Sequence, residues 1–256
     1  MLSLTAFNLR CAWNQDGINS FINRAGGIIE KIHEQAPQIL CFQEGTDQNI
    51  DFLKHTLTDY HIIFNQRDAD FGGEGLATAY RKDQFHLLKL GSFWLSDTPH
   101  KPGSRFAEQS IYPRICQKLL FKRLSDGKLF RVYNVHLDHI SEQAKILGIQ
   151  CVLQHIEADA ALLPLPFFIL GDLNAEPDSE TITFCKEYEP VPVKDLTAEI
   201  PVSFHNFGKV EDFCKIDYIF ADQDTAALPY QAEGWVDCVN GIYLSDHYPI
   251  CIKIEF

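Results

Sequence analysis

Polar clusters at the ends of buried apolar runs constrain this chain more than any other feature. They lie within residues 168–177, 215–220 and 245–249. Because hydrophobic residues fill the runs, each run predicts a buried strand whose polar neighbours emerge at a sheet edge. Carboxylate, amide and imidazole groups gathered there would suit a hard divalent cation and a phosphate ester. We therefore expect an α/β protein that carries its chemistry at strand ends.

Strand and helix patterns alternate along the rest of the chain. Apolar residues recur at three- and four-residue steps from Ile18 to Ile32, which predicts an amphipathic helix that ends before Pro37. Ser141 occupies the N-cap position of a second long helix. The predicted strands are 2–9, 39–44, 62–64, 76–80, 115–121, 130–136, the run to 172, 215–220 and 249–255, and the predicted helices are 18–32, 47–57, 141–162 and one from about 179.

Nothing in the composition divides the chain. No Ser/Gly run or charge block separates its two similar halves, so we predict a single domain over residues 1–256. The stretch 93–113 contains Pro99, Pro102 and Pro113 and is too irregular for one element. Loops of more than about 12–15 residues in compact domains are usually functional or disordered. We expect this loop to form a substrate lid or wall.

The charge balance bears on the substrate. Asp and Glu number 35 against 22 Lys and Arg, which gives a formal net charge of −13 at pH 7. Proteins that grip duplex DNA without sequence preference usually carry a basic surface. The balance therefore weighs against a general nuclease and favours a small phosphorylated substrate.

Cysteine usage and hydropathy predict where in the cell the protein resides. The eight cysteines contain no C-x-x-C pair, and most lie in apolar runs, as expected for buried free thiols in a reducing environment. No apolar run approaches the roughly 20 residues that span a bilayer, and the first residues resemble a strand more than an export signal. We expect a soluble, cytoplasmic protein with no membrane partner. The oligomeric state stays open.

Six short motifs occur in an order and spacing that resemble one family. They are Phe-Asn-Leu-Arg at 7–10, Gln-Glu at 43–44, Asn-Val-His-Leu-Asp at 134–138, Gly-Asp-Leu-Asn at 171–174, Ile-Asp-Tyr at 216–218 and Ser-Asp-His at 245–247. Together they resemble the endonuclease/exonuclease/phosphatase superfamily. The segments 93–99 and 136–139 are similar to its bacterial branch near the deadenylase-like proteins.

This resemblance implies a fold and a reaction. The fold would be a DNase I-like, four-layered α/β sandwich, in which helices flank two mixed central β-sheets and the site lies at one end between the sheets. The reaction would be the hydrolysis of a phosphate ester with Mg²⁺ or Mn²⁺. In-line attack by water needs charge neutralisation on the phosphate oxygens, an activated water and a stabilised leaving oxygen.

The metal ligands follow from the resemblance. Glu44 would be the principal ligand, with Asn8 beside it, and Asp246 would reach the ion directly or through water. Two structural alternatives stay open. Glu44 could cap the helix that follows its strand, and Asn8 could only hydrogen-bond a neighbouring loop.

The catalytic residues are assigned in the same way. Asp172 would orient and deprotonate the attacking water, and Asn174 would hold the phosphate or the nucleophile. His247 would contact the phosphate and be kept cationic by Asp217, while His136 would donate a second hydrogen bond. As alternatives, Asp172 and Asn174 could be a turn pair, and His136 could be a satisfied polar residue at a strand end.

Arg114 is the candidate for a further substrate contact. Its guanidinium suits bidentate binding of phosphate, although Tyr112 competes for the role and Arg114 could lie on the surface. Asp138 and His139 could line the same pocket, and Arg24 could be an ion-pair partner on the first helix.

Three other functions remain as alternatives to a small-molecule phosphoesterase. The first is a nuclease, either a repair-type endonuclease or a 3′ exonuclease acting on RNA. The second is a lipid phosphodiesterase. The third is a catalytically inactive binding or scaffold protein, against which the full set of polar motif residues argues. The identity of the substrate, its ester class and the number of metal ions stay open.

Overall fold

Two six-stranded β-sheets packed face to face form the centre of the protein. The structure is a computed structural model that describes residues 1–13 and 15–256, without the side chain of Val210. The chain runs through β1 (Leu2–Asn8), α1 (Phe21–Gln35), β2 (Ile39–Gly45), α2 (Asp47–Thr56), β3 (Tyr60–Gln66), β4 (Gly75–Arg81), β5 (Phe85–Trp94), β6 (Ile115–Arg123), β7 (Leu129–His136), α3 (Glu142–Leu162), β8 (Phe167–Asp172), α4 (Glu180–Glu187), β9 (Val193–Asp195), β10 (Asp217–Asp222), α5 (Gln223–Ala226), β11 (Tyr230–Gly234), β12 (Cys238–Val239), β13 (Ile242–Tyr243) and β14 (Ile250–Ile254). Short 3₁₀ turns occur at Gly17–Asn19 and Val210–Asp212.

Each sheet contains one parallel pair of strands at its centre. The first sheet has the order β11-β14-β1-β2-β4-β3 with β1 and β2 parallel, and the second has the order β5-β6-β7-β8-β10-β9 with β7 and β8 parallel. The other pairs in both sheets are antiparallel. Both sheets are therefore mixed, as predicted.

Three apolar clusters make the sandwich four layers deep. One cluster fills the space between the sheets with side chains such as Leu4, Phe130 and Ile252. A second packs α1 and α2 against the outer face of the first sheet, and a third packs α3 and α4 against the second sheet. The predicted four-layered sandwich is confirmed. Among the described residues, no helix is long and apolar enough to cross a bilayer.

The elements that the sequence analysis did not predict lie at sheet edges or are very short. β5 is an edge strand with a register shift between Leu87 and Lys89, so its apolar residues do not alternate regularly. Its last residues, Phe93 and Trp94, belong to a strand, and the loop therefore spans 95–114, where 93–113 had been expected. β9 and β11 to β13 are short or solvent-facing and carry little hydrophobic signal.

Two details of the helices also differ from or extend the prediction. Ile18 lies in a 3₁₀ turn, and α1 begins at Phe21. Arg24 on α1 is buried and donates hydrogen bonds to the carbonyl oxygens of Leu9 (2.9 Å) and Leu244 (2.7 Å). It thereby connects α1 to the segments that follow β1 and precede β14.

The eight cysteines, all in the described part of the chain, are free thiols, and six of them are buried.

Candidate active site

The predicted polar residues meet at one end of the sandwich because of strand direction. Asn8 ends β1 and His136 ends β7, on different sheets. β8 is parallel to β7 and ends at Asp172, which is the register partner of His136. β10 is antiparallel to β8, so its first residue, Asp217, also pairs with Asp172. His247 precedes β14, which runs antiparallel to β1, and so reaches the same end.

Asp172 lies at the centre of this group and is fully buried. Its Oδ2 accepts a hydrogen bond from Asn8 Nδ2 at 3.0 Å and lies 3.5 Å from His136 Nε2 and 3.8 Å from His247 Nε2. Its Oδ1 accepts from the backbone N–H of Asn174 at 2.8 Å. Burial, followed by the charge of Asp217, raises the pKa of Asp172 to about 7, against the opposing effect of His247. A carboxyl group with that pKa can accept a proton near neutral pH.

The residue before Asp172 must be glycine. Gly171 has φ +146°, and a Cβ there would lie 1.9 Å from the carbonyl oxygen of Val135 on β7. This close approach of β8 to β7 holds the backbone that carries the Asp172 carboxylate.

Asp217 and His247 form a buried pair. His247 Nδ1 lies 2.8 Å from Asp217 Oδ2, which directs Nε2 towards Asp172. Burial alone would lower the pKa of His247, but the charge and hydrogen bond of Asp217, together with Asp172, raise it to about 10. The imidazole is therefore cationic at neutral pH and presents an N–H to the cleft.

Glu44 projects into the same space from a distorted part of β2. The β2–β4 register shifts between Phe42 and Gly45, and Glu44 itself has φ +54°, a conformation that non-glycine residues seldom adopt outside functional or turn positions. Its Oε2 accepts from the backbone N–H of Cys11 at 3.0 Å. Burial would raise the pKa of Glu44, but His247 and the hydrogen bonds from Asn8 and Cys11 lower it, so the group is an anion.

Asn8 connects the two halves of the site. Its Nδ2 donates to Glu44 Oε1 at 3.1 Å and to Asp172 Oδ2 at 3.0 Å, so both carboxylates converge on one atom. Its Oδ1 accepts from the backbone N–H of Arg10 at 2.9 Å. In this arrangement Asn8 orients the carboxylates, and a role as a ligand through Oδ1 stays a prediction.

Asp246 adds a fourth carboxylate to the site, close enough to Glu44 to feel its charge. Burial and the charge of Glu44 raise its pKa, while His247 and Arg10 oppose the shift. Arg10 Nε lies 3.5 Å from Asp246 Oδ2 and 3.2 Å from Asp16 Oδ2. Arg10 therefore neutralises only part of the negative charge that Glu44 and Asp246 bring together.

His136 and Asn174 border the cleft from the second sheet. Burial, then the positive charges of Arg114 and Arg67, lower the pKa of His136 well below its usual value, so its ring is neutral. Asn174 has φ +48°, and its Nδ2 donates to the carbonyl oxygen of Leu137 at 3.2 Å. The His136 ring therefore lies beside Asp172, whereas Asn174 contacts Asp172 through its backbone N–H, and the catalytic roles of both residues stay predictions.

Two residues of the site have no counterpart in the sequence analysis. Arg67 follows β3, Glu74 precedes β4, and the two form an ion pair of 2.7 Å at the active end of the first sheet. The Gly-rich segment at 71–75 follows no phosphate-loop spacing, so no short motif marks either residue. Position at strand ends, the signal that found the other residues, would have identified both.

Arg114 and its neighbours lie against Arg67. Arg114 is buried, and its Nη2 lies 3.1 Å from His139 Nδ1. The guanidinium of Arg67 stacks over the ring of Tyr112 at 4.8 Å. Arg114 is thus a buried residue of the cleft and does not lie on the surface.

Asp138 ties the 95–114 loop to the site. Its carboxylate accepts from Ser110 N and Ser110 Oγ in that loop, and from the backbone N–H groups of Ile140 (3.2 Å) and Ser141 (2.9 Å). The loop that ends at Arg114 is therefore anchored at the N-terminus of α3.

Solved structures of similar shape cover nearly the whole chain. An endonuclease/exonuclease/phosphatase from Bacteroides vulgatus is 26% identical, with a TM-score of 0.89 and 99% of each chain covered. A functionally unknown conserved protein from Enterococcus faecalis is 27% identical, with a TM-score of 0.86 and 99% of each chain covered. A mannosyl-6-phosphatase from Bacteroides thetaiotaomicron is 23% identical, with a TM-score of 0.86 over 100% of both chains, and so shares the fold. A search of curated proteins gave no match.

The family is decided by a sequence profile. The profile of the Endonuclease/Exonuclease/phosphatase family matches residues 7–247, a range that contains all six motifs and each strand-end residue of the site. The resemblance inferred from the motifs is therefore confirmed. The chain belongs to the Endonuclease/Exonuclease/phosphatase family, whose members are metal-dependent hydrolases of phosphate esters.

Proposed function

We propose that this protein is a Mg²⁺- or Mn²⁺-dependent phosphoesterase that cleaves a phosphate mono- or diester of a small or medium phosphorylated molecule. One observation carries the proposal: Asn8 Nδ2 lies within hydrogen-bond distance of both Glu44 and Asp172, and Asp172 in turn faces the cationic His247. A proton acceptor, a cation and an anionic metal ligand therefore border one cleft.

The residues fit a divalent cation. Glu44 and Asp246 offer carboxylate oxygens, the donor type that Mg²⁺ and Mn²⁺ prefer, and Arg10 balances only part of their charge. Glu44, with Asp246 and Asn8 beside it, would hold the ion. When bound, the ion supplies positive charge to the phosphate oxygens and to the leaving oxygen.

The protein groups then have distinct tasks in the reaction. Asp172 accepts a proton from water as the water oxygen bonds to phosphorus and the bond from phosphorus to the ester oxygen breaks. His247 and His136 donate hydrogen bonds to the non-bridging oxygens. Asn174 holds the phosphate or the attacking water next to Asp172.

The overall charge supports a small substrate. A net charge of −13 repels a long polyanion on average, which disfavours nucleic acid relative to a sugar or inositol phosphate. The 23% identity to the mannosyl-6-phosphatase carries the fold alone, so mannose 6-phosphate is one test substrate among several.

A substrate panel tests the proposal. The purified chain is assayed with Mg²⁺ or Mn²⁺ on 4-nitrophenyl phosphate, bis(4-nitrophenyl) phosphate, sugar and inositol phosphates, abasic duplex DNA and oligoadenylate. We expect turnover of small esters that chelation with EDTA abolishes, and no cleavage of duplex DNA. Preferential cleavage of abasic DNA would favour a repair nuclease, and binding without hydrolysis under either ion would favour a scaffold.

A further inference from the structure

Two buried arginines line a small pocket directly beside the proposed catalytic centre. Arg67 is 7% exposed and Arg114 is 5% exposed. The other residues that line the pocket include Glu44, Glu74, Leu76, Ile115 and His136. Any phosphate held between the metal ligand Glu44 and His136 would therefore adjoin both guanidinium groups.

The donors of these arginines are not all used. Arg67 Nε and Arg114 Nε and Nη1 are buried and have no hydrogen-bond partner among the described residues. Buried guanidinium nitrogens are normally hydrogen-bonded, because removing a charged donor from water without a replacement is costly. Three unsatisfied donor nitrogens on the two arginines of one pocket indicate that an acceptor from outside the chain completes the site.

Only one of the two arginines has a directly bonded carboxylate. Glu74 lies 2.7 Å from Arg67 Nη1 and compensates that arginine. Arg114 Nη2 meets His139 Nδ1 at 3.1 Å, and since a guanidinium only donates, His139 is a neutral acceptor there. Arg114 therefore has no directly bonded carboxylate among the described residues, and Glu74, Asp172 and Asp138 act on its charge only at longer range.

We propose that Arg67 and Arg114 form a subsite for the terminal oxygens of a phosphate, which makes the protein selective for phosphate monoesters over diesters. The inference rests on the proposed phosphoesterase function and deepens it. A monoester carries about −1.5 to −2 charge at pH 7, compared with −1 for a diester, and its extra charge is what two guanidinium groups favour. The products are the free alcohol and inorganic phosphate, since water supplies the new oxygen on phosphorus.

The apolar side of the pocket supports the same selectivity. Leu76, Ile115 and Trp94 form a buried cluster there. Trp94 Nε1 donates to the carbonyl oxygen of Arg67 at 2.6 Å, which fixes the backbone on that side. The second ester group of a diester would have to pass the arginines and displace this cluster, whereas a terminal phosphate ends at the arginines.

The test compares monoester and diester turnover in Arg67→Gln, Arg67→Lys and wild type. The substrates are 4-nitrophenyl phosphate and bis(4-nitrophenyl) phosphate, and the readout is the ratio of the two kcat/KM values. We expect wild type to favour the monoester and Arg67→Gln to lower the ratio at least tenfold. Arg67→Lys keeps the charge without the bidentate geometry, so we expect an intermediate ratio. Arg81→Gln, at the far end of β4, is the matched control and should leave the ratio unchanged.

Several outcomes would overturn the inference while leaving the phosphoesterase proposal intact. One such outcome is that wild type prefers the diester. The other is that Arg67→Gln has the same ratio of monoester to diester kcat/KM as wild type. If Arg67→Gln fails to fold, the ratio in Arg67→Lys decides. If wild type cleaves neither nitrophenyl ester, calorimetric titration with inorganic phosphate tests the pocket, and the phosphoesterase proposal fails only if the other substrates of the panel are not cleaved either. Phosphate binding at least tenfold weaker in Arg67→Gln than in wild type would support the arginine subsite, and equal binding would refute it.

Discussion

The layer between the two sheets is polar at one end and aromatic at the other. At the end where β7 and β8 finish, the buried side chains are Asn8, His136 and Asp172. At the other end, Phe130 near the start of β7 packs its ring against those of Phe121 (5.7 Å) and other phenylalanines. The same strand, β7, therefore contributes to both ends. Phe130 near its start packs in the aromatic end, and His136 at its end belongs to the candidate active site.

The difference concerns free energy as well as composition. The aromatic end buries apolar surface and forms edge-to-face ring pairs, each worth about 0.5–1.5 kcal/mol beyond burial. The polar end gathers several carboxylates and leaves arginine donors unsatisfied, which opposes folding unless a ligand binds. We therefore expect mutations at the polar end to affect activity and mutations at the aromatic end to affect stability.

The largest effect on activity is expected for Asp172→Asn at the polar end. The amide keeps the shape of the carboxylate but cannot accept the proton of the attacking water. We expect kcat to fall by roughly 10²–10⁴-fold, with an unfolding temperature equal to or above that of wild type, because a buried carboxylate next to Asp217 is removed. Steady-state kinetics and thermal unfolding on the same sample check both parts, and wild-type turnover would remove Asp172 from its role.

The converse change is Phe130→Ala at the aromatic end. Phe130 is fully buried, and its ring lies 5.3 Å from that of Phe256 and 5.9 Å from that of Phe85. We expect a loss of about 3–5 kcal/mol in the free energy of unfolding. Urea titration measures this loss, and kcat at a temperature where the variant is folded should stay within about twofold of wild type. A large fall in kcat with little destabilisation would contradict the division between the two ends. Phe130→Leu, which keeps most of the volume, should lose less.

A polar layer lies between the two ends and links the sheets. Gln43 Nε2 on β2 donates to Asn134 Oδ1 on β7 at 2.8 Å, and Asn134 Nδ2 donates to the carbonyl oxygen of Ala77 at 3.0 Å. We expect Asn134→Ala to cost about 1–3 kcal/mol because one N–H of the buried Gln43 amide loses its acceptor, while the other still donates to the carbonyl oxygen of Cys41. A double-mutant cycle with Gln43→Ala should give a coupling of about 0.5–3 kcal/mol. Additive losses of stability would mean that Gln43 and Asn134 stabilise their sheets independently of each other.

The sequence predicted the polar end better than its surroundings, for a physical reason. Asp172 and His136 end strongly apolar runs, and short motifs mark them, so both the strands and the residues could be identified. Arg67 and Glu74 also lie at strand ends, but no motif marks them, and their pairing depends on how β3 and β4 meet. Unsatisfied donors such as those of Arg114 are visible only once the burial of each atom is known.

Asp138, just after β7 at the polar end, is expected to contribute to both stability and turnover. Burial alone would raise its pKa, but hydrogen bonds from Ser110, Ser141 and Ile140 outweigh burial and lower it. The carboxylate therefore contributes stability above the unfolded pKa of about 3.9, and this contribution is lost as pH falls through the lowered folded value. Asp138→Asn should cost about 1–3 kcal/mol at pH 7.

Urea titrations of Asp138→Asn and wild type at pH 7 and near pH 3 measure this difference. The penalty should shrink at the lower pH, because the carboxyl of the unfolded wild-type chain binds a proton there and part of the stabilisation is lost. The exposed Asp178→Asn should show no such penalty at either pH. Because Asp138 anchors the loop that ends at Arg114, the variant should also weaken monoester turnover by a modest factor at pH 7. A penalty independent of pH would mean that Asp138 acts through packing and not through its charge, and unchanged turnover would separate the anchoring of the loop from the position of Arg114.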